Sequence, residues 1–216
     1  EVVDFSRSTF AGPIRLVDTT VHQPVKLEDV TLSDTFSLNS SSVSGYVDVE
    51  NSEIEAIELG DGDLPRIRLN SSTVGAVEVT GGEVRSLRVK QSTVEGGFTV
   101  ENAEIDDEIE LQGCTVVQST EFDDVELGTR LRLEDSQFEG RVTLNEVRTD
   151  GWLDVADVRF DDGVEISGGG YGTGVTLTEE SRVGGSARLE SFIVDEVDLS
   201  STRFEGDFGA DDLIVE

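Results

Sequence analysis

The sequence is poor in several residue types that most functional sites require. Its 216 residues include one cysteine (Cys114), one histidine (His22) and no methionine. A single cysteine excludes an intrachain disulfide and a cysteine-rich metal site, and a single histidine leaves one candidate for a Ser/His/Asp arrangement. No apolar run approaches the ~18 residues of a membrane span and no charged-then-apolar leader opens the chain, so we expect neither a membrane helix nor a signal peptide. Because an initiator methionine is lacking, we expect residues 1–216 to be a processed product or part of a longer protein.

Basic residues are scarce as well. The 16 Lys+Arg face 47 Asp+Glu, which gives a net charge of −31, and only Lys26 and Lys90 are lysines. This balance argues against direct nucleic-acid binding, which needs clustered Lys and Arg. Excess acid with few lysines is typical of proteins from salt-loaded cytoplasm, where ions screen charge over about 3 Å at 1 M salt. The composition predicts a halophilic, archaeal source. It favours the cytoplasm and leaves the cell surface open.

What the sequence does have is a strict repeat of apolar residues. Within residues 52–94 every fifth residue is aliphatic, a small or aliphatic residue stands two positions earlier, and the residue between them is mostly polar. Such a triplet predicts an extended strand with two side chains pointing inward and one outward, followed by a two-residue corner. An apolar fraction of 36% with high net charge would otherwise be typical of disorder, but this regular spacing excludes it.

The repeat continues on both sides with one extra residue in every second corner. The last apolar residue of the triplet, here called the anchor, then recurs about every eleven residues, and the residue two positions before it, the small slot, is usually small or β-branched. The anchors are Phe10, Val21, Leu32, Val43, Ile54, Val94, Ile105, Val116, Leu127, Phe138, Thr149, Phe160, Tyr171, Val183, Val194 and Phe204. We therefore expect a single solenoid domain over residues 1–216.

The phenylalanines predict how many units close one coil. Counted from the unit anchored by Phe10, nearly all core phenylalanines fall in odd units, while Phe5 is an even exception and Phe192 occupies a small slot. Odd and even units therefore face different surroundings, which follows if two units make one turn. The prediction is roughly ten coils of 20–23 residues, with Phe138 and Phe160 stacked in adjacent coils.

Several triplets resemble the motif of the pentapeptide-repeat family, which has a central Leu or Phe, a small residue two before it and often Gly two after. The best matches are Ser8–Gly12, Ser136–Gly140 and Thr202–Gly206, although the family's Ala-Asp/Asn-Leu is absent. The resemblance implies an all-β, right-handed quadrilateral parallel β-helix. It leaves function open, because some members are acidic rods that mimic DNA and bind DNA gyrase, while most have no assigned activity.

The candidate chemical motifs favour structural roles. Acidic corners could offer Ca²⁺ oxygen ligands, but Asp and Gly are also what tight corners prefer. They are Asp61-Gly-Asp63, Asp106-Asp107, Asp123-Asp124, Asp161-Asp162-Gly163 and Asp211-Asp212. The glycine run 168–174 lacks the helix and the Lys-Ser/Thr of a phosphate loop. Asn39-Ser-Ser and Asn70-Ser-Ser are glycosylation-type sequons at ordinary corners, and Cys114 should be a buried, inert thiol. No acid/base pair stands out as in polysaccharide-cleaving β-helices, so we expect neither an enzyme nor a cofactor.

The outward positions point to one unusual surface. Basic residues gather on one side of two adjacent coils, and two aromatic residues stand outward before even strands. This candidate interaction patch comprises Arg66, Arg68, Arg85, Arg88, Lys90, Tyr46 and Trp152. It reads either as local neutralisation of an acidic surface or as a docking patch for an acidic partner.

The sequence therefore favours a non-catalytic rigid scaffold or protein-interaction module. One alternative is an acidic DNA mimic that binds a topoisomerase, and another is a polymerising filament subunit like the bactofilins. The inward pattern runs from Val3-Asp-Phe5 to Leu213-Ile-Val215 with no capping helix. A solenoid end without a cap exposes apolar interior, so end-to-end self-association is also expected.

Overall fold

The computed structural model describes residues 2–215; Glu1 and Glu216 lie outside the described residues. Within that range the chain forms short strands, numbered β1–β35 in chain order, and no helix. The strands pair in parallel with the strands one coil above and below. The odd and even units form two separate sheets.

The odd units form the first sheet. Its strands are β2 (Thr9–Phe10), β3 (Ile14–Arg15), β6 (Thr31–Leu38), β9 (Glu53–Gly60), β11 (Thr73–Thr80), β13 (Thr93–Val94), β14 (Phe98–Glu101), β17 (Thr115–Val116), β18 (Thr120–Asp123), β21 (Gln137–Phe138), β22 (Val142–Asn145), β25 (Arg159–Phe160), β26 (Gly163–Ser167), β29 (Arg182–Val183), β30 (Ser186–Glu190), β33 (Arg203–Phe204) and β34 (Phe208–Asp211).

The even units form the second sheet. Its strands are β1 (Val3–Asp4), β4 (Thr20–Val21), β5 (Val25–Glu28), β7 (Ser42–Val43), β8 (Tyr46–Glu50), β10 (Asp63–Asn70), β12 (Glu83–Lys90), β15 (Glu104–Ile105), β16 (Glu108–Gln112), β19 (Glu126–Leu127), β20 (Arg130–Glu134), β23 (Arg148–Thr149), β24 (Trp152–Ala156), β27 (Gly170–Tyr171), β28 (Gly174–Thr178), β31 (Ile193–Val194), β32 (Val197–Asp198) and β35 (Ile214–Val215).

Each sheet bends once, so a coil has four sides. The odd short face contains β2, β13, β17, β21, β25, β29 and β33, and the odd long face contains β3, β14, β18, β22, β26, β30 and β34. The even short face contains β4, β7, β15, β19, β23, β27, β31 and β35, and the even long face contains β1, β5, β8, β16, β20, β24, β28 and β32. The eight-residue strands β6, β9, β10, β11 and β12 run around a corner and belong to both faces of their sheet.

The register confirms two units per coil. Ile54 lies opposite Val74, 20 residues later, and Phe160 lies opposite Val183, 23 residues later. The odd anchors stack from Phe10 to Phe204 in ten coils. The structure thus confirms an all-β parallel solenoid of about ten turns, and every phenylalanine predicted in an odd unit lies in the first sheet. Phe138 and Phe160 stack as expected, with ring centroids 5.5 Å apart and an interplanar angle of 17°.

The corners explain the residues between triplets. Three positions before nearly every anchor the backbone is left-handed, a conformation in which Asn, Asp and Gly cost least. Asp29, Asn51 and Asp135 adopt φ of 56°, 50° and 50° there. The left-handed turn therefore accounts for the Asp and Asn residues at this position.

The glycine two residues after an anchor is favoured for a different reason, the close approach of the preceding coil. A Cβ on Gly140 would lie 2.5 Å from the carbonyl oxygen of Gln118 in the preceding coil, whereas nothing lies within 4 Å at the equivalent Gly12. Gly12 belongs to the first coil, which has no described coil before it. Close stacking of the corners therefore favours glycine at this motif position.

The small slot forms a buried hydrogen-bonded column. The Ser52 N–H donates to Ser72 Oγ (3.1 Å), and the Ser72 N–H donates to Ser92 Oγ (3.2 Å). The Ser72 hydroxyl in turn donates to the Asn70 carbonyl (2.8 Å). Cys114 is buried in the same slot and its thiol lies 3.2 Å from the Val89 carbonyl oxygen, as expected for an unreactive thiol. Burial raises its pKa.

Replacing Ser72 by alanine should destabilise the solenoid by about 1–3 kcal/mol, because the buried Ser52 N–H loses its acceptor. Urea denaturation measures the change. The exposed Ser33 on β6 supplies the matched control, since Ser33→Ala should stay within about 0.5 kcal/mol of the parent. Equal stability of the two variants would show that the slot selects for size alone.

Candidate functional site

The even long face carries the candidate interaction patch. Side chains alternate along each strand, so its outward residues form columns that cross the coils. The middle column mixes basic and acidic residues. In register it reads Asp4, Lys26, Asp48, Arg68, Arg88, Glu110, Arg132, Asp154, Thr176 and Asp198.

Two buried carboxylates from the next coil neutralise part of the predicted patch. Glu108 Oε1 accepts from Arg88 (2.8 Å) and Glu108 Oε2 accepts from Arg130 (2.7 Å). Glu110 lies 3.0 Å from Lys90 Nζ. The two glutamates are only 8% and 6% exposed, which makes their ion pairs structural. Arg88 and Lys90 therefore serve the fold, and Arg85 at the preceding corner faces Asp107 at 3.7 Å.

The charge environment of Glu108 shifts its titration. Burial favours the neutral acid, but the hydrogen bonds and charges of Arg130 and Arg88 outweigh it and hold the pKa of Glu108 below its usual value. A carboxyl whose pKa is lowered by folding stabilises the protein above its unfolded pKa. That contribution is lost as the pH falls through the folded pKa.

We expect Glu108→Gln to cost about 1–3 kcal/mol at neutral pH, because it leaves two arginines without their carboxylate. The cost should shrink as the pH falls through the folded pKa of Glu108, since the parent loses the same charge there. Denaturation at neutral and acidic pH tests this. Glu104→Gln is the control, because Glu104 is exposed and its loss should not destabilise. A pH-independent cost would contradict the electrostatic account.

Arg66 and Arg68 differ from the other basic residues of the patch. Twelve of the 16 basic residues form ion pairs, but among residues 2–215 Arg66 and Arg68 form none. They point outward two residues apart on β10, and the Arg68 guanidinium lies 5.8 Å from the centroid of the Tyr46 ring. The structure thus brings Tyr46, Arg66 and Arg68 together on adjacent strands.

Trp152 lies in the same column as Tyr46 and Arg66, but several coils away. A Cβ on Gly174 would come within 2.4 Å of the Trp152 ring, which shows that this ring covers the glycine of the next coil. Trp152 is half-buried there and does not join the Tyr46 cluster.

The sequence analysis missed a second group of arginines. Arg159, Arg182 and Arg203 stack in consecutive coils on the odd short face. Asp161 pairs with Arg159, and Glu205 pairs with both Arg182 (2.7 Å) and Arg203 (3.1 Å). The signal was present, since each of the three arginines immediately precedes an odd anchor.

A groove with a volume of about 660 Å³ lies on the even short face. Its lining residues include Glu104, Glu126 and Asp150 as well as several glycines. Asp63, Glu83, Glu104 and Glu126 stack there in four consecutive coils, and Arg148 follows. The acidic stripe is therefore short.

The remaining sequence motifs occupy structural positions. His22 is exposed, and residues 168–174 form a corner and the short strand β27. The serines that complete the two sequons, Ser41 and Ser72, are buried in the small slot. Among residues 2–215, no group of three or more His, Cys, Asp or Glu side chains is arranged to hold a metal ion.

The strand pairings define the class: the chain is a parallel β-solenoid repeat protein. It is similar to the crystal structure of HetL, a pentapeptide repeat protein involved in heterocyst differentiation regulation from the cyanobacterium Nostoc sp. strain PCC 7120. The similarity covers 95% of this chain and 89% of that chain, at 11% sequence identity and a TM-score of 0.38. It concerns the fold alone.

No protein-family model matches the sequence, and no curated protein matches it. In the part of the chain that the structure describes, no helix is long and apolar enough to cross a membrane.

Proposed function

We propose that this chain is a non-catalytic, rigid interaction module that binds a protein partner through the even long face. The observation that carries the proposal is the pair Arg66 and Arg68, which have no ion pair among residues 2–215 of a chain with net charge −31. Carboxylates of the same chain neutralise Arg85, Arg88 and Lys90. The chain thus supplies few partners for the one part of the patch that also carries an exposed aromatic ring, Tyr46.

A non-catalytic role agrees with the residues available for chemistry. Cys114 is buried with a raised pKa, so its reactive thiolate is disfavoured. His22 stands alone on the surface. The groove on the even short face is lined by the carboxylates of Glu104, Glu126 and Asp150, and its lining residues include neither Cys114 nor His22.

Photo-cross-linking tests which face binds. A photoreactive phenylalanine analogue replaces Tyr46 or, on the same face, Trp152, and Thr143 on the odd long face supplies the control. In a high-salt extract of the source cells, we expect the analogue on the even long face to cross-link to one defined protein. This adduct should disappear when the protein also carries the substitutions Arg66→Glu and Arg68→Glu. Adducts from all three positions alike, or from none, would contradict the proposal.

End-to-end stacking of the chain is a second candidate, favoured by exposed apolar residues in the first and last coils. These are Val2, Phe208, Ile214 and Val215. Sedimentation at molar KCl should show association that grows with concentration and weakens in Phe208→Ser and Ile214→Ser. A monomer at high concentration would exclude this candidate.

A further inference from the structure

Arg66 and Arg68, which form no ion pair among residues 2–215, have a spacing that a binding partner can match. Arg66 and Arg68 occupy alternate positions of one extended strand, so their Cα atoms lie about 6.6 Å apart along the strand. Alternate residues of any second extended segment have the same separation. A strand laid alongside β10 can therefore present one side chain to each guanidinium.

The guanidinium of Arg68 keeps its donors available. Arginine stacks on an aromatic ring through its flat face, while its N–H groups point outward along the edge. The Arg68 guanidinium carbon lies 5.8 Å from the centroid of the Tyr46 ring, and a cation–π contact of this kind does not consume the N–H donors that would bind a carboxylate in a bidentate way.

The neighbouring polar atoms also lack partners. Arg66 Nε and Asp48 Oδ1 are each buried without a hydrogen bond among the described residues. Asp48 lies opposite Arg68 in register, yet the two form no ion pair. The site thus holds one unsatisfied donor, Arg66 Nε, and one unsatisfied acceptor, Asp48 Oδ1, and Asp48 is the local carboxylate that would compete with an incoming acid.

We propose that Arg66 and Arg68 form the binding site for an extended acidic segment of the protein partner, with Asp or Glu at alternate residues of that segment. One carboxylate pairs with each guanidinium, and the segment runs along β10 beside Tyr46. This inference rests on the proposed function, because it names the chemistry of the partner for the same face. The net charge of −31 would repel an acidic segment, but at 1 M salt the screening length is only about 3 Å. Ion pairs in direct contact can therefore still form.

Two peptides of identical composition test the spacing. One alternates glutamate with threonine, and the other carries the same glutamates in one block. Fluorescence anisotropy at a KCl concentration that keeps the protein folded should show about tenfold tighter binding of the alternating peptide. The arginine Nε–H signals of Arg66 and Arg68 in NMR spectra should shift with it.

Matched variants assign the effect to the site. Arg66→Gln and Arg68→Gln should each weaken the alternating peptide about tenfold. Arg15→Gln, the same charge change at an arginine of the odd long face that also has no ion pair among residues 2–215, should leave binding unchanged. Asp48→Asn should tighten binding about threefold, because it removes the competing carboxylate.

Three results would overturn the inference. The peptides could bind equally, the Arg15 variant could weaken binding as much as the Arg66 variant, or the signals could shift with protein concentration alone, in which case the occupant is a second copy of this chain. A cross-linked partner found from Tyr46 while both peptides fail would overturn the acidic-segment inference and leave the proposed function standing. Loss of the face-specific cross-link would remove both.

Discussion

Lowering KCl from molar to tens of millimolar should unfold this protein cooperatively. The 47 acidic residues outnumber the 16 basic residues, and Asp63, Glu83, Glu104 and Glu126 stand directly above one another. Parallel strands lie about 4.8 Å apart, which exceeds the screening length of about 3 Å at 1 M salt and is less than the length of about 10 Å at 0.1 M. Dilution of salt therefore exposes each carboxylate of the ladder to its neighbours. Circular dichroism across the titration measures the transition.

Two triple variants separate ladder repulsion from general effects of salt. Glu83→Gln, Glu104→Gln and Glu126→Gln break the ladder and should reduce the salt dependence of the melting temperature. Glu55→Gln, Glu95→Gln and Glu139→Gln remove the same charge from positions two coils apart, where repulsion is weaker, and should reduce it less. A melting temperature that stays constant from molar to millimolar KCl would remove both the electrostatic account and the prediction of a halophilic source.

Phe138→Ala should cost roughly 3–5 kcal/mol of the free energy of unfolding, as large-to-small changes of buried aromatics do. The Phe138 ring is fully buried and stacks on Phe160, so the truncation leaves a cavity that two coils share. Chemical denaturation of the parent and the variant in the same high-salt buffer measures the difference.

A phenylalanine near the end of the solenoid supplies the control for Phe138→Ala. Phe208 lies in the last coil and is 46% exposed, so Phe208→Ala should cost far less than Phe138→Ala. Phe138→Leu, which refills most of the cavity, should recover much of the loss. If Phe138→Ala were as stable as the parent, the stacked interior would not be what holds the coils together.

The sequence was sufficient to predict the register of this fold. Period-five and period-eleven spacing located the anchors, and the restriction of phenylalanine to odd units predicted the two-unit coil, because side-chain direction in a strand depends on position alone. The same reasoning placed Arg66, Arg68, Arg88 and Lys90 on one face. Backbone periodicity decides all of these features.

Side-chain pairing between coils could not be predicted in the same way. The burial of Glu108 and Glu110, and hence their capture of Arg88 and Lys90, depends on rotamers chosen against the next coil. The sequence pattern showed only that the small slot takes small residues. It did not predict the hydrogen bonds that the serines of this slot accept from the neighbouring coil. The Arg159 column was not predicted because it lies on the short strands, in the residues that precede the anchors. The prediction considered only the outward residues of the long strands.

The central claim is that two units close one coil. Every surface column, including the proposed binding site at Arg66 and Arg68, depends on that register. Disulfide formation between paired cysteines tests it in a Cys114→Ser background. Glu104→Cys with Glu126→Cys places thiols in adjacent coils, about 4.8 Å apart at Cα and within the range of a disulfide. Glu104→Cys with Gln137→Cys would be adjacent only if three units made a turn. We expect rapid oxidation of the first pair and none of the second, and the reverse result would contradict the account.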